Sequence, residues 1–138
     1  MKKILLDTNA YSGFMAGDQI IFDYIVESEV IYFSTIMLGE LFAGFHGGSR
    51  APINRKELMS FLSKDGVNII DATIETSEIF GEIKASLISQ GKMIPINDIW
   101  IASHAIETGS KLITYDAHFK HIPGLRIWEE LNKQSIAS

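Results

Sequence analysis

The chain contains no cysteine, which excludes disulfide bridges and thiolate metal sites. It also lacks an apolar run of the roughly 20 residues that a membrane-spanning helix needs. Its amino terminus, Met1 to Asp7, has only the apolar run Ile4 to Leu6 before an acid, whereas the apolar region of a signal peptide extends over about 7–15 residues. These absences favour a cytoplasmic protein with no membrane segment.

Basic residues are in the minority, with 12 Lys and Arg against 17 Asp and Glu and a net charge of −5. This balance usually disfavours a nucleic-acid partner, because phosphates attract Lys and Arg. If four of the acids hold cations, however, 13 acids remain against 12 bases, and the rest of the chain is nearly neutral. The bound cations also change the electrostatic field that a phosphate meets at the site. The charge is therefore weak evidence against RNA.

Short apolar or β-branched segments alternate with segments of helical periodicity. With 138 residues, of which 46% are hydrophobic, we expect a single domain over residues 1–138 with one core. Its fold class is α/β, a three-layer α/β/α sandwich with a mainly parallel central sheet of four to five strands. The predicted strands are 3–6, 30–33, 67–70, 111–114 and 125–127, and the predicted longer helices are 18–27, 35–45, 54–63, 73–90 and 97–108.

Two acids follow predicted strands directly or nearly so. Asp7 ends the first strand, and Asp116 lies two residues after Thr114, the last residue of the fourth. Because ligands of such sheets bind at the carboxyl ends of the strands, both are candidate site residues. Taken singly, each also has an ordinary interpretation, Asp7 as a helix cap and Asp116 as a turn residue or cap.

Two further acids lie on predicted helices. Glu40 shares a helix face with small and apolar residues, among them Ile36 and Ala43. Asp98 follows a predicted cap at Asn97 and aligns with an apolar face that should be buried. Glu40 can instead be an acid at the edge of a buried face, and Asp98 can be an acid that the helix dipole stabilises.

Together, Asp7, Glu40, Asp98 and Asp116 can converge above one edge of the sheet. Four clustered carboxylates repel one another unless protons or cations neutralise them. An all-oxygen ligand set selects hard ions such as Mg²⁺ or Mn²⁺, which activate water and stabilise the leaving oxygen of a phosphodiester. A divalent-metal site acting on phosphodiesters is therefore our first hypothesis.

Other catalytic patterns are absent or unspecific. The chain has no P-loop and no Gly-x-Gly-x-x-Gly segment. Of the four histidines, His118 and His121 can contact the site or lie on the surface, and we assign none to catalysis.

Four segments in order along nearly the whole chain, with a shorter one near its end, carry a family resemblance. They resemble PIN-domain nucleases, specifically the VapC type of toxin ribonuclease. The segments are Leu5-Leu6-Asp7-Thr8-Asn9, Ser34-Thr35-Ile36-Met37-Leu38-Gly39-Glu40-Leu41, Pro95-Ile96-Asn97-Asp98-Ile99-Trp100-Ile101-Ala102, Leu112-Ile113-Thr114-Tyr115-Asp116-Ala117-His118-Phe119 and Ile122-Pro123-Gly124-Leu125-Arg126-Ile127.

The resemblance implies a PIN-like fold and hydrolysis of RNA that depends on Mg²⁺ or Mn²⁺, with transfer RNA as the leading candidate substrate. It also implies a cognate antitoxin that blocks the site, and a homodimer. Asp7, Glu40 and Asp98 match the family's three firm acids, while Asp116 is a fourth whose loss should matter less. Thr8 or Asn9 would orient Asp7 or a water, and Thr114 would support the site. Candidate RNA-binding residues are Arg50, Arg55, Lys56 and Lys92.

Two alternatives remain open at this stage. A phosphoesterase of the haloacid-dehalogenase type also begins with an acid after the first strand, but it needs a second acid two residues on, where this chain has Asn9. A non-catalytic PIN-like module would bind RNA or protein without cleavage, and would be expected to have an incomplete acid set.

Overall fold

The computed structural model describes residues 2–137, with side chains described for residues 2–133. Strands and helices alternate from the amino terminus, as the hydrophobic pattern predicts. The strands are β1 Lys3–Leu6, β2 Val30–Ser34, β3 Val67–Ile70 and β4 Lys111–Ile113. The helices are α1 Thr8–Met15, α2 Gln19–Glu27, α3 Thr35–His46, α4 Ala51–Leu62, α5 Ile74–Gln90, α6 Ile96–Thr108 and α7 Glu130–Ala137, with a 3₁₀ segment at Ala117–His121.

The four strands form one parallel sheet in the order β3-β2-β1-β4. The chain adds strands outward from β1 to β3 and then crosses back to place β4 on the other side of β1. The order therefore reverses between β1 and β4, which are paired through Leu6 and Ile113 at their carboxyl ends. In open parallel sheets, ligands bind in the crevice at such a reversal.

Both faces of the central strand are covered. Ile4, Leu5 and Leu6 are all buried, although successive side chains of a strand point to opposite faces. Helices must therefore lie on each side, and the predicted three-layer α/β/α sandwich is confirmed. None of the helices among residues 2–137 is long and apolar enough to span a membrane.

The sheet has four strands, within the predicted range of four to five, and one predicted helix cap is wrong. The fifth strand at 125–127 is reduced to a single bridge between Ile127 and Leu112, because Pro123 and Gly124 leave only a short extended segment before Trp128 turns into the core. Helix α6 begins at Ile96 after Pro95, so that Asn97 lies inside the first turn and does not cap the helix. Its side chain is thus free to point towards the acids.

Candidate active site

Asp7 lies at the reversal of strand order and is almost fully buried, with 4% of its surface exposed. It is the N-cap of α1, and its Oδ1 accepts a 2.8 Å hydrogen bond from the backbone N–H of Ala10. The capping role that the sequence suggested is therefore real, but it uses only one carboxylate oxygen. The other oxygen, Oδ2, is directed to Thr114, the residue that follows β4.

Thr114 connects two of the predicted acids. Its hydroxyl donates a 2.6 Å hydrogen bond to Oδ2 of Asp7 and accepts one of 3.0 Å from the backbone N–H of Asp116. Thr114 is fully buried and Asp116 is half-buried. A single hydroxyl therefore fixes Asp7 and the start of the segment that carries Asp116, as the supporting role predicted for Thr114 requires.

Asp98 lies in the first turn of α6 and meets a histidine that the sequence did not assign to the site. Oδ2 of Asp98 is 2.9 Å from Nε2 of His118, a distance typical of an ion pair. The ligand atoms of Asp98, Asp116 and His118 lie within 4.8 Å of one another. The one available sequence signal was that His118 follows Asp116 by two residues.

Glu40 faces the same crevice from α3 and is half-buried. Its Oε1 accepts a 2.6 Å hydrogen bond from the hydroxyl of Thr8, and its Oε2 is 3.5 Å from the side-chain nitrogen of Asn97. Thr8 was predicted to orient Asp7 or a water, and it orients Glu40 instead. Asn9, the other residue proposed for that role, is exposed in the first turn of α1.

Burial and mutual repulsion raise the pKa of two of the acids. The pKa of Asp7 rises from 3.8 to about 6, first because burial desolvates the carboxylate and then because Asp116 and Asp98 repel it. The pKa of Asp98 is also raised by burial, which outweighs the opposing effect of His118 and is reinforced by Glu40 and Asp116. The environment of the cluster thus disfavours the negative charge of Asp7 and Asp98.

The donor set fits a divalent cation. Carboxylates are the preferred protein ligands of Mg²⁺ and Mn²⁺, and a positive ion would offset both the burial and the repulsion that raise the pKa of Asp7 and Asp98. Nε2 of His118 is buried, and Asp98 is its only close polar contact among the described residues. A buried polar atom with few protein partners commonly also contacts a bound ion or water.

The predicted RNA-binding residues Arg50, Arg55, Lys56 and Lys92 are all exposed. Lys56 borders an apolar groove between α1 and α4, together with Phe14, Met15 and Phe61, and Lys92 borders a separate cavity beside Met93.

A buried histidine ties together the two helices that carry Glu40 and Asp98. Nδ1 of His104, in α6, is 3.0 Å from the hydroxyl of Ser34, which caps α3 by accepting a hydrogen bond from the backbone N–H of Ile36. His104 is fully buried, and burial lowers its pKa below the ordinary value. The neutral ring is therefore the form that the fold accommodates.

This burial predicts a loss of stability in acid. Because unfolded His104 takes up a proton near pH 6.5 and the folded residue resists it, the free energy of unfolding should fall below about pH 6.5, by up to about 1.4 kcal/mol per pH unit. Urea unfolding of the wild type and His104→Gln across this range isolates the effect, since contributions common to both proteins cancel in the difference. A difference that is constant with pH would contradict the prediction.

Comparison with known proteins places these residues in context. The model of the PIN domain matches residues 4–125 of the chain. A curated relative, Ribonuclease VapC2 of Rickettsia felis, is 34% identical over 75% of this chain and 76% of its own length. Ribonuclease VapC2 of Haemophilus influenzae is 32% identical over 91% of this chain and 96% of its own. In the crystal structure of DNA-bound VapBC from Salmonella typhimurium, a chain 27% identical superposes with a TM-score of 0.82, covering 93% of this chain and 98% of that one.

Proposed function

The chain belongs to the PIN-domain family, and from this premise we infer that it is an endoribonuclease, the toxin of a type II toxin–antitoxin system. The observation that carries the inference is the cluster of acids at the reversal of strand order. Thr114 joins Asp7 to the segment of Asp116. The ligand atoms of Asp116 and Asp98 lie within 4.8 Å of each other, and Glu40 is near Asp98. Relatives at 34% and 32% identity are named ribonucleases. We also propose that residues 1–138 form a single PIN domain.

We assign the metal to the four acids. In this proposal Asp7, Glu40, Asp98 and Asp116 hold Mg²⁺ or Mn²⁺. Thr114 keeps Asp7 in position through its 2.6 Å hydrogen bond, and Thr8 does the same for Glu40. The bound ion supplies a more acidic water and an electrostatic partner for the leaving oxygen. Because Asp7 and Thr114 are both buried, water does not compete for the hydrogen bond that keeps Asp7 in position.

The reaction is hydrolysis of an RNA phosphodiester bond. A water oxygen bonds to phosphorus, the bond from phosphorus to the 3′ oxygen breaks, and that oxygen takes up a proton. The products carry a 5′-phosphate and a 3′-hydroxyl. Asp98, Glu40 and Asp116 are only half-buried, so an RNA phosphate can approach their carboxylates from the surface.

The partners follow from the family. We propose an RNA substrate, with transfer RNA as the leading candidate, a cognate antitoxin protein, a homodimer and a cytoplasmic location. Solved chains of similar fold come from VapBC assemblies, including VapBC2 of Rickettsia felis, at 28% identity, and VapBC of Salmonella typhimurium. Arg50, Arg55, Lys56 and Lys92 remain proposed contacts to RNA, supported by their exposure.

The haloacid-dehalogenase alternative finds no support at the position that it needs. That chemistry requires an acid two residues after Asp7, and the chain has an exposed Asn9 there. The non-catalytic alternative, a module that binds RNA or protein, predicts that the purified protein does not cleave RNA.

The test is cleavage of RNA by purified, antitoxin-free protein with Mg²⁺, with Mn²⁺ and with EDTA. We expect cleavage only with a divalent ion, and a loss of more than about 100-fold in Asp98→Asn, because that change removes a proposed ligand. Glu78→Gln is the matched control, since it removes the same charge from an exposed position of α5. Cleavage in EDTA, or equal rates in the Asp98 variant and the wild type, would refute the proposal.

A further inference from the structure

The position of His118 is fixed by its backbone segment, which is anchored on both sides of the residue. Its 3₁₀ segment, Ala117–His121, begins directly after Asp116, whose N–H is bound by the hydroxyl of Thr114. The next side chain, Phe119, is fully buried and anchors the segment in the core. The imidazole also packs against the ring of Phe119, with the centroids 4.7 Å apart. The packing of the chain therefore directs His118 to the acids.

The buried ring nitrogen of His118 has one close polar contact, with Asp98. Nε2 lies 2.9 Å from Oδ2 of Asp98, and no other described group is its hydrogen-bond partner. His121 is exposed. His104 also has a buried Nε2 without a hydrogen-bond partner among the described residues, but its other ring nitrogen lies against Ser34 in the core and it is not part of the cluster with Asp98 and Asp116. One ring nitrogen of His118 lies within 4.8 Å of ligand oxygens of Asp98 and Asp116, which is the placement of a metal ligand.

We propose that His118 is a nitrogen ligand of the cation held by Asp98 and Asp116, and that this ligand makes the centre favour a first-row transition-metal ion over Mg²⁺. The proposal rests on the proposed function in assuming that the acids take a divalent ion. Imidazole is a softer donor than carboxylate, and Mg²⁺ is bound through oxygen, whereas transition-metal ions accept both donor types. The resulting mixed set of oxygen and nitrogen donors differs from the all-oxygen set that the acids alone predict.

The alternative role for His118 is to position Asp98 without touching the ion. Both roles would lower RNA cleavage on substitution, so activity does not separate them. The spectrum of a bound paramagnetic ion does, because a nitrogen in direct contact with Mn²⁺ gives a hyperfine coupling that a nitrogen further away does not.

The experiment uses Mn²⁺ as the probe, added to the full chain without RNA. Pulsed electron paramagnetic resonance of the wild type should show coupling to a directly bound ¹⁴N. In His118→Gln that coupling should disappear, and the dissociation constant for Mn²⁺ should rise at least about 10-fold, more than the constant for Mg²⁺ does. His121→Gln is the matched control, since it removes an exposed histidine of the same 3₁₀ segment, and it should keep both the coupling and the affinity.

A second variant covers the case in which His118→Gln fails to fold. His118→Asp replaces the nitrogen donor by an oxygen donor, and it should bind Mn²⁺ without ¹⁴N coupling and shift the preference towards Mg²⁺. Mn²⁺ bound to the wild type without nitrogen coupling, or absence of Mn²⁺ binding, would overturn the proposal. A nitrogen-coupled Mn²⁺ in a protein that cleaves no RNA would overturn the proposed function and leave this inference standing.

Discussion

Replacement of Asp7 by Asn is expected to abolish RNA cleavage and at the same time to stabilise the metal-free protein. The carboxylate is only 4% exposed, and its pKa is raised from 3.8 to about 6. Keeping it ionised at neutral pH therefore costs roughly 3 kcal/mol, since each pKa unit corresponds to about 1.4 kcal/mol. Because the side chain is almost fully buried, solvent screening reduces this cost little.

The variant should recover part of this cost. The Asn oxygen can still accept the hydrogen bond from Ala10, but the amide nitrogen meets the Thr114 hydroxyl, which must reorient. We expect a net gain of about 1–2 kcal/mol in the free energy of unfolding at neutral pH, and a loss of cleavage of more than about 100-fold. Urea unfolding in EDTA and initial rates of cleavage measure the two effects.

The pH dependence separates this cause from an unrelated gain in packing. Because the pKa of folded Asp7 exceeds its unfolded value, the carboxyl group stabilises the fold at low pH, and this contribution is lost as the pH rises through about 6. The advantage of Asp7→Asn should therefore shrink as the pH falls from about 7 to about 4. A variant that is less stable than the wild type at neutral pH, or an advantage independent of pH, would contradict the burial of an ionised Asp7.

Asp116→Asn provides a graded comparison. Asp116 is half-buried, and its backbone N–H, not its carboxylate, bonds Thr114. We expect the rate of RNA cleavage to fall less in Asp116→Asn than in Asp7→Asn. An equal fall in the two rates would mean that Asp116 is as important for cleavage as Asp7.

Thr114→Val should damage both the fold and the site while preserving the shape of the side chain. The hydroxyl donates to Oδ2 of the buried Asp7 and accepts from the N–H of the half-buried Asp116. Its removal takes a hydrogen-bond partner from a buried carboxylate oxygen and from a partly buried N–H. The expected cost is about 1–3 kcal/mol in the free energy of unfolding, together with a loss of roughly 10–100-fold in cleavage, as for other groups that orient metal ligands.

Thr114→Ser is the control for this prediction, because it keeps the hydroxyl and removes only a methyl group. We expect its cleavage rate to remain within about 3-fold of the wild type. Urea unfolding and initial rates, measured on the three proteins with the same metal ion, provide the comparison. If Val and Ser variants cleave RNA at the same rate, the hydroxyl does not position Asp7.

The positions of Asp7 and Asp116 were predictable because a parallel sheet brings the ends of its strands to one edge. Local patterns were sufficient to find β1 and β4, and the alternation of strands with helices was sufficient to predict a parallel sheet. Local patterns also predicted helix α3 correctly. Its start was indicated by Ser34, which has a capping side chain, and its predicted end was within one residue of the observed end. The strand order could not be predicted from the sequence pattern, and it is this order that makes β1 and β4 neighbours.

The details that were missed depend on contacts between distant segments. His118 could not be distinguished from a surface histidine, because its neighbour Asp98 is 20 residues away in the chain and on another element. Thr8 was expected near Asp7, its sequence neighbour, but it bonds Glu40, 32 residues on. The predicted cap at Asn97 was wrong because Pro95 precedes it and already provides the extended backbone at the start of α6.

The central claim is that the acid cluster is a metal-dependent site for hydrolysis of RNA, and the chemistry of the cleaved ends tests it most directly. RNA treated with the protein in Mn²⁺ or Mg²⁺ would be analysed by 5′-end and 3′-end labelling, with EDTA and Asp7→Asn as parallel reactions. We predict ends with a 5′-phosphate and a 3′-hydroxyl, formed only by the wild type and only with the metal ion. Ends with a 5′-hydroxyl and a 2′,3′-cyclic phosphate, or equal cleavage in EDTA, would contradict the claim, because they indicate attack by the ribose hydroxyl without a metal centre.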